Sequence, residues 1–286
     1  MNKKNCLAVL LTCHNRKEKT VACLTALYNC IIPESYVFEV FLVDDGSTDG
    51  TSQAIKEKFP QVHIIKGNGN LYWNQGMRLA WKTAIVETTP DFFLWLNDDT
   101  NIDNDSLIHL FECYNEYKNR QVSESIVVGS CRNEIDIDKF SYGLRKNGNI
   151  IVPNGSLQNG DFLNGNLVLI SKAVYTKLDI LSNCYTHAMG DYDYGLRALD
   201  NGIELITTKK YIATCESNIG LPKWCDPMVN FFNRWKALHT PLGLNIKEYK
   251  IFRKNFWPKN YMMSILKVYL RCLMPRFYNK ISAYAK

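Results

Sequence analysis

Phe92-Phe93-Leu94-Trp95-Leu96-Asn97-Asp98-Asp99-Thr100 is the stretch from which the rest of the chain is read. Five apolar residues in succession are the pattern of a short strand buried on both faces, as found inside a parallel sheet. The run stops at one asparagine and two aspartates. Upstream the same arrangement recurs three times. Leu7–Leu11 predicts a first strand ending at Thr12–Arg16, and Phe38–Val43 a second ending at Asp44-Asp45-Gly46-Ser47. Val62–Lys66 predicts a third, ending at Gly67–Asn70. Between them, Lys19–Tyr28, the segment from Ser47 to about Lys58, and Asn74–Val86 have helical spacing, with Ser47 or Thr48 as the expected cap of the second helix. Strands separated by helices of this length predict βαβ units. The expected fold is α/β, a mostly parallel central sheet flanked by helices.

In such sheets ligands bind outside the carboxyl ends of the strands. Polar clusters stand at all four of those ends, two of them with paired aspartates. Asp44-Asp45 reads equally well as the start of a capped helix. Asp98-Asp99 follows a strand that needs no acid at its exit, and two carboxylates there make a hard-oxygen site suited to Mg2+ or Mn2+. A further cluster, Asp191-Tyr192-Asp193, opens the predicted helix Tyr192–Asn201, which Gly202 should stop. Arg197 lies one turn beyond Asp193 and is its expected partner. That leaves Asp191 free to face a cleft as a general base.

From about Ile126 to Lys210 the pattern shortens to β-rich runs, Ile126–Val128, Leu167–Ile170 and Ile203–Thr207, joined by Asn-Gly turns. This predicts a second half added to the same sheet rather than a separate fold. The expected organisation is therefore a domain over 1–220, with halves 1–125 and 126–220, and a basic helical extension over 221–286. The net charge of +6 is uneven: from Lys209 onward 15 Lys and Arg face 3 Asp and Glu. An acidic body with a basic tail predicts an acidic partner for the tail, such as a phospholipid surface or a phosphorylated ligand. In Asn260–Met274 the residues Met263, Leu266, Leu270, Leu273 and Met274 share one side, with Lys267 and Arg271 on another. Such a helix suits a membrane interface or a core contact. The ten cysteines include no C-x-x-C pair and lie mostly in apolar segments, as reduced structural thiols do. No run reaches the ~18 apolar residues of a membrane span, and the N-terminal apolar run is too short for a signal peptide. A cytoplasmic protein is expected, with no nucleic-acid partner.

Four motifs stand in order along the chain: Leu11-Thr12-Cys13-His14-Asn15-Arg16, Val43-Asp44-Asp45-Gly46-Ser47-Thr48-Asp49, Asn97-Asp98-Asp99, and Gly190-Asp191-Tyr192-Asp193 with Arg197. The set resembles the family 2 glycosyltransferases of GT-A fold and covers about residues 6–215. The segment Gly69-Asn70-Leu71-Tyr72-Trp73-Asn74-Gln75-Gly76-Met77 is similar to a bacterial branch that builds capsules and O-antigens. Arg234-Trp235-Lys236 and Pro241-Leu242-Gly243-Leu244 are similar to that branch too. The resemblance implies that Thr12, Asn15, Arg16 and Asn70 line a nucleotide pocket and that Asp44 and Asp45 hold base and ribose. It places Asn97, Asp98 and Arg78 toward the donor sugar, Asp99 on Mn2+ or Mg2+, and Asp191 as the base. In this sequence Asn97 stands where the family's metal motif begins with an acid, and Gly190 replaces a glutamate.

The resemblance leads to the expectation of an inverting, metal-dependent transferase of single sugars. UDP-hexose comes first and dTDP-rhamnose second as donor; the acceptor is a saccharide, lipid-linked, at the inner face of the membrane. A nucleotidyltransferase would carry a glycine-rich basic loop where Thr12–Arg16 has no glycine. A dinucleotide-binding dehydrogenase fails because no glycine stands at 72. A processive synthase would want Gln where Phe231 stands. The reading from another class is a non-catalytic sugar-nucleotide-binding or membrane scaffold on the same fold.

Overall fold

The computed structural model describes residues 4–121, 123–217 and 220–284 of the 286. The chain divides into two compact units, one of Met1–Asn183 with Asp191–Ser217, the other of Cys184–Gly190 with Asn218–Lys286.

The first unit opens as its apolar runs predict. β1 (Asn5–Cys13), α1 (Lys17–Tyr28), β2 (Tyr36–Asp44), α2 (Thr51–Lys58), β3 (His63–Lys66), α3 (Tyr72–Glu87) and β4 (Phe92–Leu96) alternate along the chain. The four strands pair in parallel in the order β4-β1-β2-β3. There follow β5 (Asn101–Ile102), α4 (Ser106–Arg120), β6 (Ser125–Arg132), β7 (Phe140–Tyr142), β8 (Leu144–Lys146) and β9 (Asn149–Ile150). β10 (Asn159–Gly160), β11 (Phe162–Leu163), β12 (Leu167–Ser171), α5 (Lys172–Leu178), α6 (Gly190–Asp200) and β13 (Glu204–Thr214) complete it. β12 runs antiparallel between β4 and β6, so that Leu167 lies opposite Leu96. This register sets the turn before β12 beside the acidic end of β4. The sheet thus continues from the first half of the unit into the second as β4-β12-β6-β13-β10.

Alternation within the strands makes two apolar layers. Leu7, Val9, Leu11, Val40, Leu42, Leu94 and Leu96 meet α1, α2 and α4 through Leu24, Leu27, Ile55, Leu107 and Leu110. Ala8, Leu10, Phe41, Val43, Phe93 and Trp95 meet α3, α5 and α6 through Met77, Trp81, Ala84, Val174 and Tyr194. Trp81 packs among Phe93, Trp95, Tyr175 and Tyr194 with ring centroids 5.1–6.1 Å apart.

Two element ends differ from expectation. α2 begins at Thr51, and neither Ser47 nor Thr48 caps it. Gly50, at φ 82°, turns the chain into the helix, and Asp49 accepts from the Thr51 amide at 3.0 Å. Ser47 is drawn away because its hydroxyl accepts the Asn15 amide at 2.9 Å. Asp191 lies within the first turn of α6 rather than ahead of it. Asp193 does pair with Arg197, at 2.7 Å, and Gly202 has the positive φ of a helix stop, 71°. All ten cysteines are free thiols.

The second unit contains α7 (Phe231–Leu238), α8 (Ile246–Phe256), α9 (Tyr261–Leu273) and α10 (Pro275–Tyr284) around Trp224, Cys225, Leu238, Ile246, Ile265, Val268 and Cys272. Arg234 is buried and donates to the Cys272 carbonyl at 2.8 Å. Glu248 accepts the Thr186 amide at 3.0 Å. α9 buries Ile265, Val268 and Cys272, so the stripe Met263, Leu266, Leu270, Leu273 and Met274 is its exposed side. Among the described residues no helix is long and apolar enough to cross a membrane.

Candidate active site

At the end of β2, both aspartates are buried and spend their oxygens on their own chain. Asp45 Oδ1 accepts the Gly69 amide at 2.8 Å, and Oδ2 accepts those of Leu71 at 2.8 Å and Tyr72 at 2.9 Å. The loop approaches this closely because residue 67 is glycine; a Cβ there would stand 2.6 Å from Asp45 Oδ1. Asp44 Oδ1 accepts the Ser47 amide at 2.8 Å, and its Oδ2 takes the Ser52 hydroxyl. The pair therefore frames the loops around it. Each carboxylate oxygen has about two acceptor sites, so Asp44 keeps capacity on both oxygens and Asp45 on Oδ1. His14 Nδ1 lies 2.6 Å from the Asp45 carbonyl, which requires the proton on that nitrogen, and Nε2 then accepts from Asn15 Nδ2 at 3.1 Å. Asn15, at φ 51°, accepts the Thr48 amide at 2.7 Å. Asn70 is exposed, with its amide nitrogen 3.5 Å from the Asn68 carbonyl.

The end of β4 is built differently. One nitrogen of Arg16, Nη1, touches Asp98 Oδ1 at 3.1 Å and Asp99 Oδ2 at 2.8 Å. Asp98 is buried beside Thr20, whose hydroxyl reaches Oδ2 at 3.4 Å. Burial pushes its carboxyl up to about 6 against the opposing pull of Arg16. Asp99 is open on one side, its side chain 24% exposed. The Cys215 thiol, 3.7 Å from Asp99 Oδ1, is pushed up to about 12 by burial and so stands protonated, as a weak donor. Among the described residues no group of three or more His, Cys, Asp or Glu is placed to hold a metal. The donor set is instead a hard-oxygen pair with one accessible member, which fits an ion whose other ligands are a substrate's phosphates and water.

Asp191 stands next to this end of β4. Its Oδ2 accepts the Gly165 amide at 3.1 Å and its Oδ1 the Tyr192 amide at 2.9 Å. Burial raises its carboxyl to about 6, with those amides pulling the other way. The Asn97 amide donates to the Asn166 carbonyl at 2.9 Å, tying the strand end to the turn that holds Asp191. Trp73 completes the link: its indole Nε1 donates to Asn97 Oδ1 at 2.7 Å, and its ring lies against Gly165 so closely that a Cβ there would stand 2.5 Å from Cζ2. A single indole therefore spans the acid pair's strand and the turn that holds Asp191.

The rest of α3's first turns grips the main chain of 181–183. Asn74 donates to the Ser182 carbonyl at 2.9 Å, Gln75 to that of Asn183 at 3.2 Å, and Arg78 to that of Leu181. Arg78 is thus a member of a backbone clamp. Thr12 closes the end of β1 against α3, where a Cβ on Gly76 would lie 2.2 Å from its hydroxyl oxygen. Trp73, Gly165, Thr20 and Cys215 are the site residues the motifs did not single out. Trp73 lies inside the segment Gly69–Met77, but nothing local in the sequence marks Gly165.

Parallel strands with acids at their carboxyl ends, continued by an antiparallel strand into a second half of the same sheet, are the layout of a GT-A fold. The chain matches glycosyl transferase family 2 over residues 8–159 and belongs to that family. It is a glycosyltransferase. Its fold is shared with TarS of S. aureus, solved with UDP-GlcNAc, at a TM-score of 0.54 and 15% identity over 89% of this chain and 74% of that one. It is shared too with the mannosyltransferase PcManGT of Pyrobaculum calidifontis, solved with GDP-Man and Mn2+, at a TM-score of 0.57 and 13% identity over 100% and 77%. A sequence comparison with curated proteins gives no match.

Proposed function

We propose that this glycosyltransferase moves a single sugar from a nucleoside-diphosphate donor to a saccharide hydroxyl with inversion, in bacterial surface polysaccharide synthesis of the capsule or O-antigen type. UDP-hexose is the first donor to try and dTDP-rhamnose the second. The observation that supports the reading is the Trp73–Gly165 link, which ties the turn holding Asp191 to Asn97, the residue before the acid pair. In this reading Asp191 takes the proton of the acceptor hydroxyl as that oxygen attacks the anomeric carbon. A carboxyl near 6 is ionised at neutral pH yet basic enough to accept a proton in the transition state. Thr12, Asn15 and Asn70 border the nucleotide, and the spare acceptor capacity of Asp44 and Asp45 meets base and ribose donors. A divalent ion, Mn2+ or Mg2+, held by Asp99 would offset charge on the departing diphosphate. Asn97, fixed by Trp73, and Asp98 border the sugar; Arg78 acts there through the 181–183 segment. The test is product analysis by NMR of the anomeric configuration with a donor panel. Retained configuration, or no turnover with any donor, would reject it.

A lipid-linked acceptor and peripheral contact with the inner face of the cell membrane belong to the same proposal. On the second unit, Leu266 is 52% and Leu270 43% exposed on α9, and Phe231, Phe232 and Trp235 are exposed on α7. Trp235 stacks near Tyr269 of α9 at 5.9 Å, joining the two surfaces. Lys236 and Lys267 are exposed on the same two helices, and Arg276 on α10. An apolar face with interspersed basic residues suits an anionic bilayer. Replacing Leu266 and Leu270 by Ser should abolish sedimentation with phosphatidylglycerol vesicles while leaving transfer to a soluble saccharide intact. Unchanged sedimentation would remove the membrane from the account.

A further inference from the structure

We infer that Arg16 is the resident counter-cation of the Asp98–Asp99 pair and exchanges places with the divalent ion, moving from the carboxylates to the donor's diphosphate as the metal–nucleotide complex binds. The inference rests on the metal-dependent reading proposed for this site and adds to it an order of events and a residue that enforces it.

The pair already carries one cation. One guanidinium nitrogen already contacts both carboxylates. Among the described residues, their remaining oxygens face weak donors, the Thr20 hydroxyl at 3.4 Å and the Cys215 thiol at 3.7 Å. A divalent ion arriving at Asp99 while Arg16 stays in place would meet a positive charge within contact distance.

The backbone of Arg16 cannot yield, because it is pinned on both sides. The Asn15 amide donates to Ser47 and the Lys17 amide to Asp49 Oδ2 at 3.0 Å. The Arg16 carbonyl accepts both the Thr20 amide and the Thr20 hydroxyl at 2.9 Å. The side chain is different: it is 48% exposed, and its polar contacts among the described residues are with the two acids. Its torsions are therefore the soft coordinate. A displaced guanidinium on a fixed stem has a strong alternative ligand in a diphosphate, whose oxygens match its planar donor fork. Metal and diphosphate then bind together better than either alone, since each removes what obstructs the other.

Mn2+ binding to the full chain, followed by electron paramagnetic resonance with and without inorganic pyrophosphate, tests this. Without pyrophosphate, Arg16→Gln should bind Mn2+ about tenfold tighter than the parent, while Arg16→Lys, which keeps the charge, should stay near the parent. With pyrophosphate the order should reverse, Arg16→Gln binding the Mn2+–pyrophosphate complex about tenfold more weakly. Asp99→Asn should remove both signals. If the parent binds Mn2+ and pyrophosphate through Asp99 but Arg16→Gln shows no gain for Mn2+ alone, the exchange is wrong and the metal site stands. If no protein binds Mn2+ under either condition, the metal reading falls and the exchange with it.

Discussion

Two strand ends in this molecule carry the same pair of residues and use it in opposite ways. At the end of β2, Asp45 gathers three amides of its own chain, and the loop 67–72 is folded onto it. At the end of β4, Asp98 and Asp99 share one arginine nitrogen, and Asp99 is left partly open. Fixed amides cannot leave a carboxylate without unfolding the loop, whereas a side-chain guanidinium can. The β4 pair is held by a side chain and the Asp45 carboxylate by backbone amides.

The widest separation should come from Asp191, which belongs to the β4 side. Asp191→Asn should lower transfer about a thousandfold with nucleotide affinity unchanged, measured by steady-state kinetics beside calorimetry. An equal loss of both would make Asp191 part of the framework. Gly165→Ala should push Trp73 off the turn that holds Asp191 and reduce kcat about thirtyfold with the fold intact by circular dichroism. Full activity would show that the indole link is not needed.

The pH profile sharpens the same contrast. Transfer should fall about tenfold per unit below pH 6 as Asp191 takes up a proton, and should level off above it. Asp98 titrates near the same value, so Asp98→Asn should keep this limb if Asp191 is its source. The sign for stability is opposite. A carboxyl raised from 3.8 to about 6 binds a proton more tightly in the folded chain, so its contribution is present below pH 3.8 and lost as the pH rises through 6. The ionised Asp191 carboxylate thus stands at a cost to the fold. The largest effect on stability should come from the β2 side. Asp45→Asn places an amide group among three N–H donors and should cost about 3 kcal/mol, roughly 6–10 °C in Tm, by thermal melting. A Tm within a degree of the parent would mean that the loop does not depend on it.

Much of this was legible in the chain. The apolar runs at 7–11, 38–43 and 92–96 have one sensible reading, strands buried on both faces, and that reading carries the sheet. The difference between the two aspartate pairs is not local. The donors that satisfy Asp45 lie 24 to 27 residues downstream, and the arginine that holds Asp98 and Asp99 lies 82 and 83 residues upstream. Gly165 matters because Trp73 packs on it, a contact across 92 residues that no spacing rule reveals. Periodicity told which residues of α9 share a face but not which way that face turns. Ile265, Val268 and Cys272 went inward because they meet Trp224 and Leu238, and the richer stripe of Met and Leu stayed outside.

The central claim is that the acid pair at β4, and Asp99 in particular, is where donor and metal meet. Calorimetric titration of UDP, dTDP, GDP and CMP into the parent and into Asp99→Ala, each with and without Mn2+, tests it most directly. The account predicts that one nucleoside diphosphate binds the parent tightly only when Mn2+ is present, and that Asp99→Ala weakens this binding about a hundredfold without lowering Tm. Binding that is indifferent to Mn2+ and survives in Asp99→Ala would contradict it.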